Sequence, residues 1–129
     1  MVNNVNNKCI FCEKINPERI LFETTQWLAV YDGYPVSKGH TLLIPKEHYE
    51  TFFDLPCSLM ESLPFRIKEV KRILDEKFHP DGYNIGINCG KAAGQSIMHC
   101  HIHIIPRYKG DCENPRGGVR GVIPSKQNY

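Results

Sequence analysis

Half of the six histidines in the chain fall within five residues, His99-Cys100-His101-Ile102-His103, with small or apolar side chains between them. On an extended chain all three imidazoles project from one face, and residues rise ~3.3 Å each, so His99 and His103 stand roughly 13 Å apart. Nitrogens sharing one tetrahedral zinc must lie within about 3.5 Å of one another. At most two neighbours can therefore share an ion, which leaves at least one imidazole for other work. Neutral imidazole is a nucleophile with an ordinary pKa of ~6.5, and its N–H groups donate to phosphate oxygens. Just upstream, the loop Gly90-Lys91-Ala92-Ala93-Gly94-Gln95-Ser96 lets backbone N–H groups approach an anion, and Gln95 and Ser96 add side-chain donors. A nucleophile held in line beside donors for equatorial oxygens is what displacement at phosphorus requires.

Cys9-x-x-Cys12 supplies half of a tetrahedral metal site, and the other half must come from distant residues. A redox reading would place the pair at the start of a helix that follows a strand, and that context is absent. Cys57, Cys89, Cys100 and Cys112 read as reduced thiols, with Cys100 facing away from His101.

These residues need a scaffold that a chain of 129 residues and 41% hydrophobic content can build as one domain. With 16 Lys and Arg against 14 Asp and Glu, the charge of +2 is too small for binding long nucleic acid or a membrane surface. No apolar run approaches ~20 residues and the opening residues do not resemble a signal peptide, so the chain reads as soluble and cytoplasmic. Residues 1–7 read as a disordered tail, 8–110 as the domain, and 111–129 as an extension packing on the domain or on a dimer partner. Ile20-Leu21-Phe22-Glu23 and Trp27-Leu28-Ala29-Val30-Tyr31 read as a hairpin, and Thr41-Leu42-Leu43-Ile44 as a buried strand after which Pro45 begins a short helix. Leu59, Leu63, Ile67, Val70, Leu74 and Phe78 recur every three or four residues, which predicts one long helix over 57–78, kinked or restarted near Phe65 by Pro64. After His79-Pro80-Asp81-Gly82, a strand runs from Tyr83 to Asn88, and a last strand carrying the histidine row ends at Pro106.

Asn88-x-Gly90, Gly94-Gln95-Ser96 and His99-x-His101-x-His103 followed by Ile104-Ile105-Pro106 resemble the histidine triad (HIT) superfamily of nucleotide hydrolases and transferases. The resemblance extends through Cys9-Ile10-Phe11-Cys12, Asp32, Gly39-His40-Thr41, Leu43-Ile44-Pro45-Lys46 and His48. The tail Asn114-Pro115-Arg116-Gly117-Gly118-Val119-Arg120 is similar to the bacterial diadenosine-tetraphosphate-hydrolase-like branch. It implies an α+β fold, a five-stranded antiparallel sheet with one long and one short helix, in a homodimer. His101 would attack the α-phosphorus of a nucleotide, such as one half of a dinucleoside polyphosphate, forming a covalent nucleotidyl-histidine. His103, Asn88, Gly94, Gln95 and the backbone at Ser96 would bind phosphate, with the Ser96 hydroxyl serving the leaving group and His40 completing the site. Asp32 would accept from ribose hydroxyls, while Ile10, Phe11 and Leu42 would pack against a purine base. His48 and His99 would join Cys9 and Cys12 around one structural zinc, with no metal in the chemical step. A nucleoside phosphoramidase, a phosphorylase, a non-catalytic nucleotide-binding module and a zinc-stabilised interaction domain stand as alternatives. Arg116 and Arg120 read as a solvated basic flap or as contacts to distal phosphates.

Overall fold

Threonine at the tip of a hairpin can cap the turn with its own hydroxyl, and Thr24 does so: its Oγ1 accepts from the backbone N–H of Gln26 (3.1 Å) and Trp27 (2.9 Å). This joins β1 (Ile20–Glu23) to β2 (Trp27–Tyr31) in the computed structural model, which describes residues 9–13 and 15–129. The tail expected at 1–7 lies outside the described residues. β3 (Thr41–Pro45) pairs with β2, and β5 (Ile102–Arg107) with both β3 and β4 (Gly82–Gly86). All pairs are antiparallel, and the sheet has the order β1-β2-β3-β5-β4. β3 lies at the centre and is buried along its whole length.

Alternation along the strands sorts side chains onto two faces. Trp27, Ala29, Leu43, Ile102 and Ile104 face α1 (Cys57–Phe78), which presents Leu59, Leu63, Val70 and Leu74 to form the main core. Trp27 is fully buried and its indole N–H donates to Ser62 Oγ at 2.8 Å, so the one polar atom of the ring is satisfied. Val30, Leu42 and Ile44 face the other way and form a second cluster with Phe11. The second face is also the one that His99, His101 and His103 share, opposite to Ile102 and Ile104.

The long helix has the expected bounds, but it runs through Pro64 without a restart. It ends at His79, whose left-handed conformation (φ 52°) closes the helix just before Pro80. It is the one α-helix among the described residues. The expected short helix is reduced to a 3-10 turn, Phe52–Asp54, capped by Thr51 and Asp54, while Pro45 closes β3 instead of opening a helix. β4 stops at Gly86, two residues short of Asn88. β5 begins only at Ile102, so His99 and His101 precede it, and it continues through Pro106 to Arg107. Proline is tolerated there because its carbonyl turns to the β3 side and accepts from Ser37 Oγ (2.6 Å), beyond the end of β3. Its missing N–H falls on that same side and costs no ladder bond. Residues 111–129 fold back in two short 3-10 turns, one of them touching β4, with the Arg116 and Arg120 guanidiniums over the Tyr129 ring at 5.1 and 4.6 Å. No described helix is long and apolar enough to cross a membrane.

Candidate functional site

The segment before β5 leaves the ladder because its hydrogen bonds go elsewhere. Cys100 N–H donates to Tyr49 O at 2.6 Å, and the Cys100 side chain sinks into the core on the α1 side. His99 and His101 are thereby turned to the opposite face, as the alternation requires. The His99 ring is fully buried, and its Nε2 lies 2.9 Å from Pro45 O. A carbonyl only accepts, so Nε2 carries the proton and Nδ1 presents a lone pair. That lone pair points at Cys9 Sγ (3.3 Å), Cys12 Sγ (3.5 Å) and His48 Nδ1 (3.1 Å), while Cys12 Sγ and His48 Nδ1 are 3.2 Å apart. Zinc bonds of ~2.3 Å to sulfur and ~2.0 Å to nitrogen give tetrahedral edges of roughly 3.3–3.8 Å. The four atoms thus converge on one point with nearly the spacing that zinc imposes, and all lie within 4.8 Å of one another. Burial pushes the His99 pKa down to about 4, which keeps the ring neutral, the form that ligates. A histidine that binds a metal ordinarily donates its other ring N–H to a carbonyl or carboxylate, and that bond fixes the ring so that the remaining nitrogen faces the ion.

His101 has the reverse orientation. Its Nδ1 donates to His99 O at 2.8 Å, which leaves the Nε2 lone pair free. The ring is buried, with Phe11 edge-on at 5.1 Å between centroids and His103 at the same distance. His103 lies opposite Leu42 in the ladder and takes its tautomer from His40. Val36 N–H donates to His40 Nδ1 (3.1 Å), so His40 carries its proton on Nε2 and donates it to His103 Nδ1 at 2.9 Å. His103 is then left with an Nε2–H to offer a ligand. Asp32 Oδ2 lies 3.4 Å from the same His40 nitrogen, and Oδ1 accepts from Tyr34 N–H at 2.8 Å. Burial pushes the His103 pKa down to about 4 and lowers that of His40 against the opposing pull of Asp32. Asp32, His40 and His103 come close enough for a second cation site. The proton that Val36 forces onto His40 Nε2 occupies the position a metal would need, so this group is a hydrogen-bond chain.

In the loop, Gly90 and Gly94 hold φ angles of 93° and 92°, which only glycine adopts freely. Ser96 is exposed and Asn88 half-buried. The Gln95 side chain, expected to face phosphate, is turned inward and fully bonded: Oε1 accepts from Gly90 N–H (2.8 Å), and Nε2 donates to Glu50 O (2.7 Å) and Ile97 O (3.1 Å). Phe11 and Leu42 share the apolar cluster beside His101, whereas Ile10 lies outside that cluster and is 54% exposed. Sequence reasoning missed Val30 and Ile44, whose alternation with Ala29 and Leu43 was the available signal. It also missed the backbone groups of Val36, Pro45 and Glu50, which no residue type announces.

A family profile described as HIT domain matches residues 13–110, beginning just after Cys12. An uncharacterised HIT-like protein of Methanocaldococcus jannaschii is 44% identical over 118 residues, covering 88% of this chain and 91% of the relative. Adenylylsulfatase HINT3 of Arabidopsis thaliana is 37% identical over 113 residues, 85% of this chain and 57% of that protein. The bis(5'-adenosyl)-triphosphatase of Dictyostelium discoideum is 37% identical over 100 residues, 78% of this chain and 67% of that protein. Among solved structures, a zinc-bound histidine triad family protein from Mycobacterium smegmatis superposes with a TM-score of 0.72 at 34% identity, covering 81% of this chain and 78% of that one.

Proposed function

Because the chain belongs to the HIT family, we propose that it is a nucleotide hydrolase or nucleotidyl transferase that works through His101, with a dinucleoside polyphosphate such as diadenosine tetraphosphate as substrate. The observation that carries the proposal is the His101 tautomer: Nδ1–H is held on His99 O, so Nε2 faces the site as a free nucleophile. Nε2 attacks the α-phosphorus, the N–P bond forms and the bond to the leaving polyphosphate oxygen breaks. The His99 carbonyl stabilises the positive charge that develops on the ring. The His103 Nε2–H and the amides around Ser96 donate to the phosphoryl oxygens, and the Ser96 hydroxyl donates a hydrogen bond to the leaving oxygen, which departs as the polyphosphate anion. Water then cleaves the N–P bond, which releases the mononucleotide and restores the imidazole. Phe11 and Leu42 wall the base, Asp32 accepts from ribose, and Asn88 and Gly94 line the phosphates. Gln95 contributes through its backbone.

Cys9, Cys12, His48 and His99 would hold one structural zinc. The donor spacing supports this, as does a zinc-bound relative. All four positions are filled by protein, so the ion would pin the N-terminal segment to the sheet and take no part at phosphorus. A homodimer joined along the free edge of β4, with residues 111–129 beside it, belongs to the same proposal, as does a reducing compartment such as the cytoplasm, which suits six free cysteines. A second reading, cleavage of a small leaving group such as an amine or sulfate from an adenylyl group, is favoured by the adenylylsulfatase relative.

Purified protein is incubated with diadenosine tetraphosphate or with adenosine 5'-phosphoramidate, quenched in base and measured by intact mass. An AMP adduct that is absent in His101→Ala, together with released AMP, supports the proposal, and the faster substrate chooses between the two readings. AMP binding without adduct or turnover on either substrate would sink the catalytic assignment in favour of a binding module.

A further inference from the structure

Gln95 is 4% exposed and sits beside the phosphate loop, yet its amide is fully engaged within the protein. Both Nε2 hydrogens are donated to carbonyls, Glu50 O at 2.7 Å and Ile97 O at 3.1 Å, and Oε1 accepts Gly90 N–H at 2.8 Å. Its own backbone N–H returns to Gly90 O at 3.1 Å, so Gly90 is gripped from both of its polar atoms. Glu50 follows two residues after His48, on the segment that also offers Tyr49 O to Cys100 N–H at 2.6 Å. One side chain therefore ties the phosphate loop to the segment that carries a ligand of the metal cluster. Only a primary amide can do this, because the site demands two hydrogens donated and one accepted from a single uncharged group.

We propose that Gln95 is a positioning residue that makes the 90–97 loop and the 46–51 segment one rigid unit, so that nucleotide on the loop and metal on Cys9, Cys12, His48 and His99 stabilise each other. This rests on the nucleotide and zinc readings above. Binding free energies are linked reciprocally, so the factor by which zinc tightens AMP equals the factor by which AMP tightens zinc. Without the clasp the two segments order independently, and each ligand bears the full cost of fixing its own.

The test is equilibrium competition for zinc between the protein and a chromogenic chelator, with and without saturating AMP, alongside calorimetric titration of AMP into the zinc-loaded and stripped protein. In the wild type AMP raises the apparent zinc affinity by at least about fivefold, and stripping weakens AMP by the same factor. Gln95→Glu keeps the shape and the acceptor but loses both donors, and the factor falls towards one. A second readout needs no variant: stripping zinc from the wild type speeds hydrogen exchange at the Gly90 and Gln95 amides. AMP binding that leaves zinc affinity and those amides unchanged overturns the inference alone, as does Gln95→Glu retaining the full factor. A folded protein that binds no zinc overturns the metal reading and the inference with it, and one that binds no AMP overturns the nucleotide reading as well.

Discussion

Acidifying the protein should weaken it through His103, and the size of the effect follows from where that ring sits. In the unfolded chain its imidazole takes a proton near the usual 6.5, whereas in the fold burial, with the neighbouring His101 and His40 rings adding to it, holds the pKa down to about 4. Between those values the unfolded state binds more protons than the folded state, so stability falls as pH falls through this window and is undisturbed above it. At 1.36 kcal/mol per pH unit the gap corresponds to about 3 kcal/mol, lost between about pH 6.5 and pH 4. The proton enters a hydrogen-bonded pair, because His103 Nδ1 already receives the His40 proton at 2.9 Å. Protonating Nδ1 would set two N–H groups against each other, on top of the cost of burying the charge. The assay is urea unfolding of the wild type and His103→Asn at about pH 7, 5.5 and 4.5, both with chelator so that zinc release does not contribute. His103→Asn is less stable at neutral pH, but its further loss on acidification should be smaller than that of the wild type by about 2–3 kcal/mol. Parallel losses in the two proteins would refute the assignment of His103 as a neutral, half-buried ring and with it the tautomer chain from Val36.

Replacing Cys9 and Cys12 together by serine should abolish zinc retention, read by elemental analysis, and lower the melting temperature by several degrees, since about 1 kcal/mol moves a domain of this size by ~4 °C. Turnover at saturating substrate should remain within about tenfold of wild type, because no ligand of that cluster faces phosphorus; a loss as large as that of His101→Ala would refute the division of labour. Gly39→Ala places a methyl group 2.9 Å from Phe78 Cδ2 on a backbone with φ 91°, immediately before His40. It should cost about 1–3 kcal/mol by urea unfolding and weaken AMP binding by disturbing the His40 ring, and an unchanged midpoint would contradict the crowding described.

The elements were legible where a periodic pattern met a clear boundary. The 3.6-residue repeat from Leu59 to Phe78, stopped by His79-Pro80, located the helix to the residue. Leu42 to Pro45 was legible as buried because nothing polar interrupts it. The starts and ends of β4 and β5 were not, since they depend on which strand lies alongside. Pro106 reads as a stop until one knows that β3 has already ended on that side. The cluster of Cys9, Cys12, His48 and His99 spans most of the chain, and residue types suggested only its first half; the rest came by resemblance to a family. Gln95 was misplaced for a simple reason: a polar side chain in a glycine-rich loop announces hydrogen bonds but not their direction.

The histidine row shows the same limit in its sharpest form, because three identical side chains at even spacing are given three different chemistries by neighbours the sequence does not reveal. Pro45 O takes the His99 Nε2 proton and turns Nδ1 to the cysteines. His99 O accepts from the His101 Nδ1–H and leaves the lone pair on Nε2. Val36 N–H acts one step removed, through His40, to leave His103 as a donor. An acceptor and an adjacent donor on neighbouring neutral rings need the proton on opposite nitrogens, which the residue type alone does not decide. Main-chain carbonyls and amides cannot be titrated away, so they assign the tautomers for as long as the rings stay neutral. His99 and His101 lie ahead of β5, where the Cys100 N–H goes to Tyr49 O and not into a strand ladder, and the two rings there take Pro45 O and His99 O as their partners.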